Sequence, residues 1–348
     1  MTARPAAPRP NTRRQDFASD NTAGAAPEAL QALIDANAGA AASYGDDHFS
    51  ARAADLIRGM LDADAEVRFV ASGTAANAIA LAALCRPFEA VLAHEHAHIV
   101  TSETGAPAYF GHGLGLIGLP GASGRIDEAA LAAALAEPDS AHHPAPGCLS
   151  ITNTTEYGTL YDNAALKRLT GAAKAGPHPL PVHLDGARAA NAAAAGFDLK
   201  ALKSSGVDIF IMGGTKAGMS PTEAIVIFDK ALVRRFDARL KQAGQLPSKS
   251  RFYSAPWIGM LESGGYVRHA AHAGAMARKL ADLAPFEAAH PVESNAVFLR
   301  MTEDQLGRLN TSGWSVHPWH GDTARLMCSW ATTEGDVEAV VEAMKGVV

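Results

Sequence analysis

The stretch that decides the fold lies between residues 181 and 218, where two apolar strands each end in a turn rich in small residues. The first turn is carried by HLDGAR at residues 183–188, and the second by GGTKAG at residues 213–218. A single crossover connection separates the two strands. Because ligands bind outside the carboxyl ends of parallel strands, we expect Asp185 and Lys216 to face one crevice.

Short apolar strands alternate with helical segments on both sides of this stretch, from about residue 65 to residue 230. This alternation is typical of a mainly parallel sheet with helices on both faces. The predicted strands are Val67–Ala71, Ala90–Ala93, Leu114–Leu119, Cys148–Thr152, Pro181–Leu184, Val207–Met212 and Ala224–Phe228. The predicted helices are Thr74–Leu84, Asp127–Ala136, Asn163–Ala175 and one that begins at Asp229.

The pattern changes after a cluster of glycine and proline near residues 245–256. A long helix over Gly259–Asp282, followed by strands near Val297–Met301 and Arg325–Trp330, predicts a smaller α+β unit. The first residues are rich in Arg and Pro and lack an apolar segment, which favours a disordered tail. We therefore predict a tail over residues 1–15, a large domain over 16–250 and a small C-terminal domain over 251–348.

The composition excludes several classes of protein. Of the 348 residues, 48% are hydrophobic and 19% charged, which is enough apolar material for a large core. The formal net charge is −6, so a nucleic-acid partner is not expected. No apolar run reaches the length of a membrane span. Three widely separated cysteines form neither a disulfide framework nor a zinc-ribbon spacing, which favours a reducing cytoplasm.

Lys216 and Asp185 are the two residues with the strongest chemical meaning. A lysine between small residues can be held partly desolvated, which lowers its pKa and frees the amine for Schiff-base formation. A carboxylate at a strand end can approach a heteroaromatic ring, and pyridoxal phosphate (PLP) needs such a partner for its pyridine nitrogen. The structural alternatives are a solvated loop lysine and a helix cap.

Two further segments also follow predicted strands. ASGT at residues 71–74 places small residues and hydroxyls at a helix N-terminus, where free N–H groups favour a phosphate. A simple N-cap is the structural alternative. His98 follows the next strand and could stack on the face of a cofactor, or it could be a satisfied, partly buried histidine.

A competing interpretation is a zinc hydrolase. His94, Glu95 and His98 formally match the H-E-x-x-H pattern of zinc proteases. That pattern requires a helix, where both histidines share one face and the glutamate acts as base. Here it follows a short predicted strand, and no clear third ligand stands downstream, so we predict no metal site.

Together, these segments resemble the low-specificity L-threonine aldolase family, a group of PLP fold-type I enzymes related to the β-eliminating lyases. The resemblance covers nearly everything after residue 16. It is carried by FASDN (17–21), YGDD (44–47), SGTAAN (72–77), ETGAP (103–107), HLDGAR (183–188), GGTK (213–216), KQAGQ (241–245), SAPW (254–257) and ARLMCSW (324–330). It implies an aspartate-aminotransferase-like α/β fold with a mainly parallel seven-stranded sheet in a three-layer α/β/α large domain.

The resemblance also implies roles for matching residues. Lys216 would hold PLP as a Schiff base, Asp185 would pair with the pyridine nitrogen, and Gly73 and Thr74 would hold the phosphate. The remaining implied contacts are His98 on the ring face, Arg188 near the ring oxygen, and Ser19 and Arg325 on the substrate carboxylate.

One segment departs from the family pattern. Many members carry a histidine that contacts the substrate hydroxyl, whereas residues 153–158 here read NTTEYG. Glu156 or His98 are therefore the candidate bases. Arg239 and Lys241 are candidates to reach a phosphate across a subunit interface.

The expected reaction is retro-aldol cleavage of L-threonine, L-allo-threonine or a related β-hydroxy-α-amino acid to glycine and an aldehyde, which is acetaldehyde for threonine. β-Elimination, a phenylserine-type aldolase and transamination remain alternatives, since a fold does not fix a reaction. The resemblance further implies a homodimer or homotetramer with shared active sites.

Overall fold

The computed structural model describes residues 15–176 and 178–348, so the predicted tail lies outside the described residues except for Gln15. Its main sheet has seven strands: β2 (Glu66–Val70), β3 (Glu89–His94), β4 (Gly115–Leu119), β5 (Ala145–Thr152), β6 (Val182–Gly186), β7 (Ile209–Gly213) and β8 (Glu223–Ile227). Their order in the sheet is β2-β8-β7-β6-β5-β3-β4. Only β8 runs antiparallel to its neighbours, so the predicted mainly parallel sheet is confirmed.

Helices cover both faces of this sheet, because the strands are apolar on both sides. Along β7, Phe210 and Met212 belong to one hydrophobic cluster, while Ile209 and Ile211 belong to another on the opposite face. The helices are α1 (Pro27–Ala36), α2 (His48–Leu61), α3 (Gly73–Leu84), α4 (His98–Thr101), α5 (Ala106–Phe110), α6 (Glu128–Ala136), α7 (Asn163–Ala175), α8 (Ala189–Ala194), α9 (Phe236–Gln242), α10 (Arg251–Glu262) and α11 (Gly265–Leu283).

The C-terminal part builds a second sheet with its own core. Its strands are β9 (Ala296–Arg300), β11 (His317–Trp319) and β12 (Thr323–Met327), in the antiparallel order β11-β12-β9. Helices α12 (Glu303–Thr311) and α13 (Glu334–Lys345) accompany it, each beginning with a capping box. A separate cluster of buried residues joins this sheet to α11 and α13.

The N-terminal segment belongs to this second unit. Strand β1 (Gln15–Asp16) pairs in parallel with β10 (Trp314–Ser315). Phe17 is buried in the C-terminal core, and its carbonyl accepts a hydrogen bond from the Met327 N–H at 2.7 Å. Residues 15–17 therefore lie beside the C-terminal part, and the chain crosses to the large sheet afterwards.

Two predicted helices differ from the structure. The predicted helix over 259–282 is interrupted, because Gly264 adopts a left-handed conformation (φ 68°) between α10 and α11. The helix predicted from Asp229 is only a 3-10 turn over Lys230–Leu232, and α9 begins at residue 236 after Arg235 (φ 65°). Within the described parts of the chain, no helix is long and apolar enough to cross a membrane.

Candidate active site

A cavity of about 410 Å³ opens at the carboxyl ends of the parallel strands, within the size range of small-molecule sites. The predicted site residues that line it are Ser19, Gly73, Thr74, His98, Glu156, Asp185, Arg188, Lys216 and Arg325. Each, except Ser19 and Arg325, lies at or shortly after the end of a strand of the large sheet. The fold therefore brings together residues that are up to 306 positions apart in the sequence.

Lys216 lies on a tight 3-10 turn, Thr215–Ala217, that directly follows β7. The turn is possible because residue 213 is a glycine and has no side chain. A Cβ at this position would lie 2.1 Å from the carbonyl oxygen of Ala187. Burial, reinforced by the positive charge of Arg188, lowers the pKa of the Lys216 amine. A neutral amine is the form that attacks a carbonyl carbon.

Asp185 lies on the neighbouring strand β6, opposite Ile211 of β7. Its side chain is buried and oriented by two hydrogen bonds. The N–H of Ala187 donates to Oδ1 at 2.9 Å, and Nδ2 of Asn77 donates to Oδ2 at 2.9 Å. The carboxylate is therefore fixed on the cavity wall without a guanidinium or ammonium partner within salt-bridge distance among the described residues.

The N-terminus of α3 forms another wall of the cavity. Ser72 caps this helix, since its Oγ accepts a hydrogen bond from the N–H of Ala75 at 3.3 Å. Gly73 and Thr74 follow as the first helical residues, and both line the cavity. A Cβ on Gly73 would meet nothing within 4 Å, so this end of the helix is open to an anionic ligand.

His98 begins α4 and is held by two carboxylates. Its backbone N–H donates to Oε1 of Glu156 at 2.7 Å, and its ring Nδ1 lies 2.9 Å from Oε1 of Glu103. Burial raises the pKa of Glu156 to about 7, against the opposing effect of the hydrogen bond from His98. Oε2 of Glu156 is buried and has no hydrogen-bond partner among the described residues.

The segment from His94 to His98 does not form the single helix that the zinc interpretation requires. His94 ends β3, and Glu95 lies in the turn that follows the strand. The two ring nitrogens of His94 contact the Gly121 carbonyl at 3.0 Å and the His96 N–H at 3.1 Å. No group of His, Cys, Asp or Glu arranged to hold a metal occurs in the described residues. The zinc interpretation therefore lacks the helical context on which its sequence pattern depends.

Arg188 and Arg325 differ in which of their N–H donors already have a hydrogen-bond partner. Arg188 donates two hydrogen bonds to buried Asp20, at 2.7 and 3.0 Å. Burial alone would raise the pKa of Asp20, but Arg188 holds it below its usual value. Arg325 donates from Nη2 to the Ala18 carbonyl at 3.1 Å, and its Nε has no partner among the described residues. Its guanidinium lies over the Trp319 ring at 5.0 Å.

The two basic residues of α9 lie outside the residues that line the cavity. Arg239 is exposed on this helix. Lys241 lies over the ring of Tyr44, with its Nζ 4.4 Å from the ring centroid. The predicted contact of either residue with a phosphate across a subunit interface therefore remains a prediction.

Sequence reasoning assigned no role to four residues that line this site or contact a residue that does. Asn77 and Glu103 lie between His98 and Asp185, Asp20 pairs with Arg188, and Glu223 lies beside the lysine turn. A signal existed for Asn77, since it is the one polar residue in the otherwise apolar run 75–84. No comparable signal marks Glu223, because an acidic residue before an apolar strand usually lies in solvent.

The side chains present fit pyridoxal phosphate. The cavity offers an amine of lowered pKa at Lys216, a fixed carboxylate at Asp185 and an open helix N-terminus at Gly73. These match the carbonyl, the ring nitrogen and the phosphate of that cofactor. Arg325 and Glu156 also line the cavity, and each has a buried polar atom without a hydrogen-bond partner among the described residues.

Comparison with known proteins places this site in context. A family model described as beta-eliminating lyase matches residues 16–304. The low specificity L-threonine aldolase of a Pseudomonas species is 42% identical over 341 residues, which is 96% of this chain and 98% of that protein. The solved structure of Leishmania major threonine aldolase matches with a TM-score of 0.88 at 31% identity and covers 96% of this chain and 99% of its own. Aspartate aminotransferase from Thermus thermophilus matches in fold, with a TM-score of 0.72 at 13% identity over 96% of this chain and 92% of that one.

Proposed function

The chain belongs to the beta-eliminating lyase family, and from this premise we propose that it is a PLP-dependent threonine aldolase. It would cleave L-threonine, L-allo-threonine or a related β-hydroxy-α-amino acid to glycine and an aldehyde. The observation that carries the proposal is the placement of Lys216 and Asp185 on neighbouring strand ends in one cavity, in a chain 42% identical to a low specificity L-threonine aldolase.

The cofactor would be held by residues from four strand ends. Lys216 would bind it covalently, Asp185 would face its ring nitrogen, and Gly73 and Thr74 would bind its phosphate. His98 would lie on the ring face, with Arg188 near the ring oxygen. When bound, PLP supplies an electron sink for the electron pair left at Cα when the Cα–Cβ bond breaks.

The substrate carboxylate would bind to Arg325 together with Ser19. Arg188 already donates its hydrogen bonds to Asp20, whereas Nε of Arg325 has no hydrogen-bond partner among the described residues. A guanidinium presents paired donors that match a carboxylate. Trp319 supports the guanidinium from one face and so limits the directions in which it can point.

Glu156 would take the proton of the β-hydroxyl group. Burial raises its pKa to about 7, and a general base is most effective when its pKa is close to the pH at which the enzyme works. Its Oε2 has no hydrogen-bond partner among the described residues. His98 is the other candidate base. We expect Glu156→Gln to lower kcat by about 10²–10⁴-fold, the usual contribution of a general base, with the cofactor spectrum retained. His98→Gln would show the larger loss if His98 were the base.

The first experiment is the visible absorption spectrum of the purified protein, with and without L-threonine. We expect a Schiff-base band in the wild type that is absent from Lys216→Ala, and release of glycine and acetaldehyde after addition of threonine. Lys230→Ala is the matched control, since Lys230 is exposed and follows β8. A band with no threonine cleavage would move the reaction to elimination or transamination, and a colourless protein that also fails to bind added PLP would refute the proposal.

Assembly and location are part of the same proposal. Leu30 and Ile34 lie one turn apart on α1 and are 48% and 66% exposed, which supports a contact between copies of the chain. A homodimer or homotetramer in the cytoplasm fits this surface and the three free, buried cysteines. Light scattering of the wild type and of Leu30→Glu/Ile34→Glu tests it, with a smaller particle expected for the variant.

A further inference from the structure

A buried chain of hydrogen bonds joins His98 to Asp185. Nδ1 of His98 lies 2.9 Å from Oε1 of Glu103, and Nδ2 of Asn77 lies 2.9 Å from that same oxygen. Nδ2 of Asn77 also lies 2.9 Å from Oδ2 of Asp185. Asn77 thus bridges two carboxylates, one facing the candidate proton carrier and the other facing the expected ring nitrogen.

The chemistry of these groups fixes the direction of each hydrogen bond. An ionised carboxylate can only accept, so the Asn77 amide nitrogen must face both carboxylates and spend one N–H on each. The opposite amide orientation would place a third oxygen against two others. In agreement, Oδ1 of Asn77 is buried on the other side and has no partner among the described residues.

Glu103 is the central group of this chain. Its side chain is 0% exposed, and its ion-pair partner among the described residues is His98. If Oε1 accepts from both neighbours, Nδ1 of His98 must carry a hydrogen. Nε2 then carries the lone pair, and no described residue donates a hydrogen bond to it. The imidazole ring lines the cavity and is 44% exposed, so this nitrogen is available to a ligand.

We infer that Glu103 is a positioning residue that holds His98 as the Nδ1–H tautomer, with Nε2 as a proton acceptor toward the cavity. A proton taken by Nε2 would place a positive charge on the ring next to the Glu103 carboxylate, 2.9 Å from Nδ1. Asn77 holds Glu103 and Asp185 at a fixed separation. The inference deepens the proposed function and rests on it for its catalytic meaning, although the tautomer itself does not depend on the reaction.

The test is side-chain NMR of the full chain labelled with ¹⁵N-histidine, recorded with and without added PLP. Long-range ¹H–¹⁵N correlations distinguish the two neutral tautomers and follow protonation, and His98→Gln assigns the signals. Glu103→Gln keeps an acceptor oxygen but removes the charge, whereas Glu103→Leu removes both. Glu95→Gln is the matched control, because Glu95 is an exposed carboxylate three residues before His98.

We expect His98 in the wild type to be the Nδ1–H tautomer. In Glu103→Gln the tautomer should persist, because the side-chain amide oxygen can still accept a hydrogen bond from Nδ1–H. Glu103→Leu should lose the Nδ1–H preference, and Glu95→Gln should match the wild type. An Nε2–H tautomer in the wild type, or an Nδ1–H preference retained in Glu103→Leu, would overturn the inference.

These outcomes are separable from the proposed function. A protein with the expected tautomer that fails to cleave threonine would contradict the function and leave the positioning of His98 intact. Active protein in which Glu103→Leu keeps the Nδ1–H preference of His98 would contradict only the inference. If Glu103→Leu fails to fold, the wild-type tautomer still decides the question, because an Nε2–H form there would contradict the inference.

Discussion

At the scale of single residues, Asp185 is the most sensitive point of the site, because two hydrogen bonds fix its carboxylate and no Lys or Arg among the described residues pairs with it. Asp185→Asn keeps the size of the side chain but removes the charge that would keep a ring nitrogen protonated. We expect kcat/KM for threonine to fall at least about 10²-fold, since charged groups at a reacting centre contribute on this order. Activity and PLP affinity should be measured together.

Asp162→Asn is a suitable control for that variant. Asp162 caps α7 through a hydrogen bond to the Ala165 N–H at 2.6 Å, and asparagine caps helices about as well as aspartate. The control should keep wild-type activity and stability. Asp185→Asn with near wild-type kcat/KM would exclude a role of this carboxylate at the ring nitrogen.

Glu223 predicts a pH dependence of stability. Burial raises its pKa from the ordinary 4.5 to about 7, so the folded protein favours the protonated form. The stability associated with that proton is complete below pH 4.5 and is lost as the pH rises through 7. Glu223→Gln should therefore gain stability relative to wild type with rising pH, by at most about 3 kcal/mol at pH 8.

Urea unfolding of the cofactor-free protein at pH 5 and pH 8 measures this difference. Glu128→Gln changes an exposed carboxylate on α6 and should show no comparable gain. A gain that is equal at both pH values would mean that Glu223 has no raised pKa in the folded protein.

The sequence was informative for residues whose chemistry is unusual for their position. Lys216 and Asp185 follow apolar strands directly, and both line the cavity as expected. Asn77 carried such a signal as the one polar residue of an apolar run, but Glu103 and Glu223 did not, because their roles depend on partners 5 and 9 positions away in the folded geometry. Hydrogen bonding between elements leaves no periodic trace in a sequence.

At the scale of elements, strand order and direction explain why the site lies at one edge of the sheet. Six strands run the same way and end there, which the alternating pattern predicted. Strand β8 runs the other way, so that its first residue, Glu223, reaches the same edge opposite Gly213. The orientation of β8 could not be predicted, because the apolar pattern of a buried strand is the same whichever way the strand runs.

The contact between the ends of β6 and β7 makes Gly213 intolerant of a side chain. A Cβ there would lie 2.1 Å from the carbonyl oxygen of Ala187, so the backbone that carries Asp185 or Lys216 would have to move. We expect Gly213→Ala to destabilise the protein by about 2 kcal/mol or more and to weaken PLP binding. Chemical unfolding and absorption titration measure the two effects.

Gly171→Ala is the matched control within α7. A Cβ on Gly171 would meet nothing within 4 Å, and alanine favours a helix interior over glycine by about 0.5–1 kcal/mol. This variant should be as stable as the wild type or more stable. If Gly213→Ala were also as stable as the wild type, the ends of β6 and β7 could not lie as close together as the structure shows.

At the scale of the whole molecule, the segment 15–22 connects the C-terminal unit to the cavity. Phe17 is packed in the C-terminal core, Ser19 lines the cavity, and Asp20 binds Arg188 of the large sheet. The family resemblance predicted the place of Ser19 but not this connection. The match to the beta-eliminating lyase model confirms the family, whereas the proposed domain boundary at residue 250 remains a prediction.

This connection predicts that a core substitution far from the chemistry changes substrate binding. Phe17 is 1% exposed and lies with its ring centroid 5.8 Å from that of Trp314. Phe17→Ala should cost about 3–5 kcal/mol of unfolding free energy, the usual cost of truncating a buried phenylalanine. Because Ser19 and Asp20 follow directly, KM for threonine should rise more than kcat falls. Phe88→Ala, at a position 69% exposed, should change neither quantity. Loss of stability without any rise in KM would mean that the cavity does not depend on how residues 15–22 are anchored.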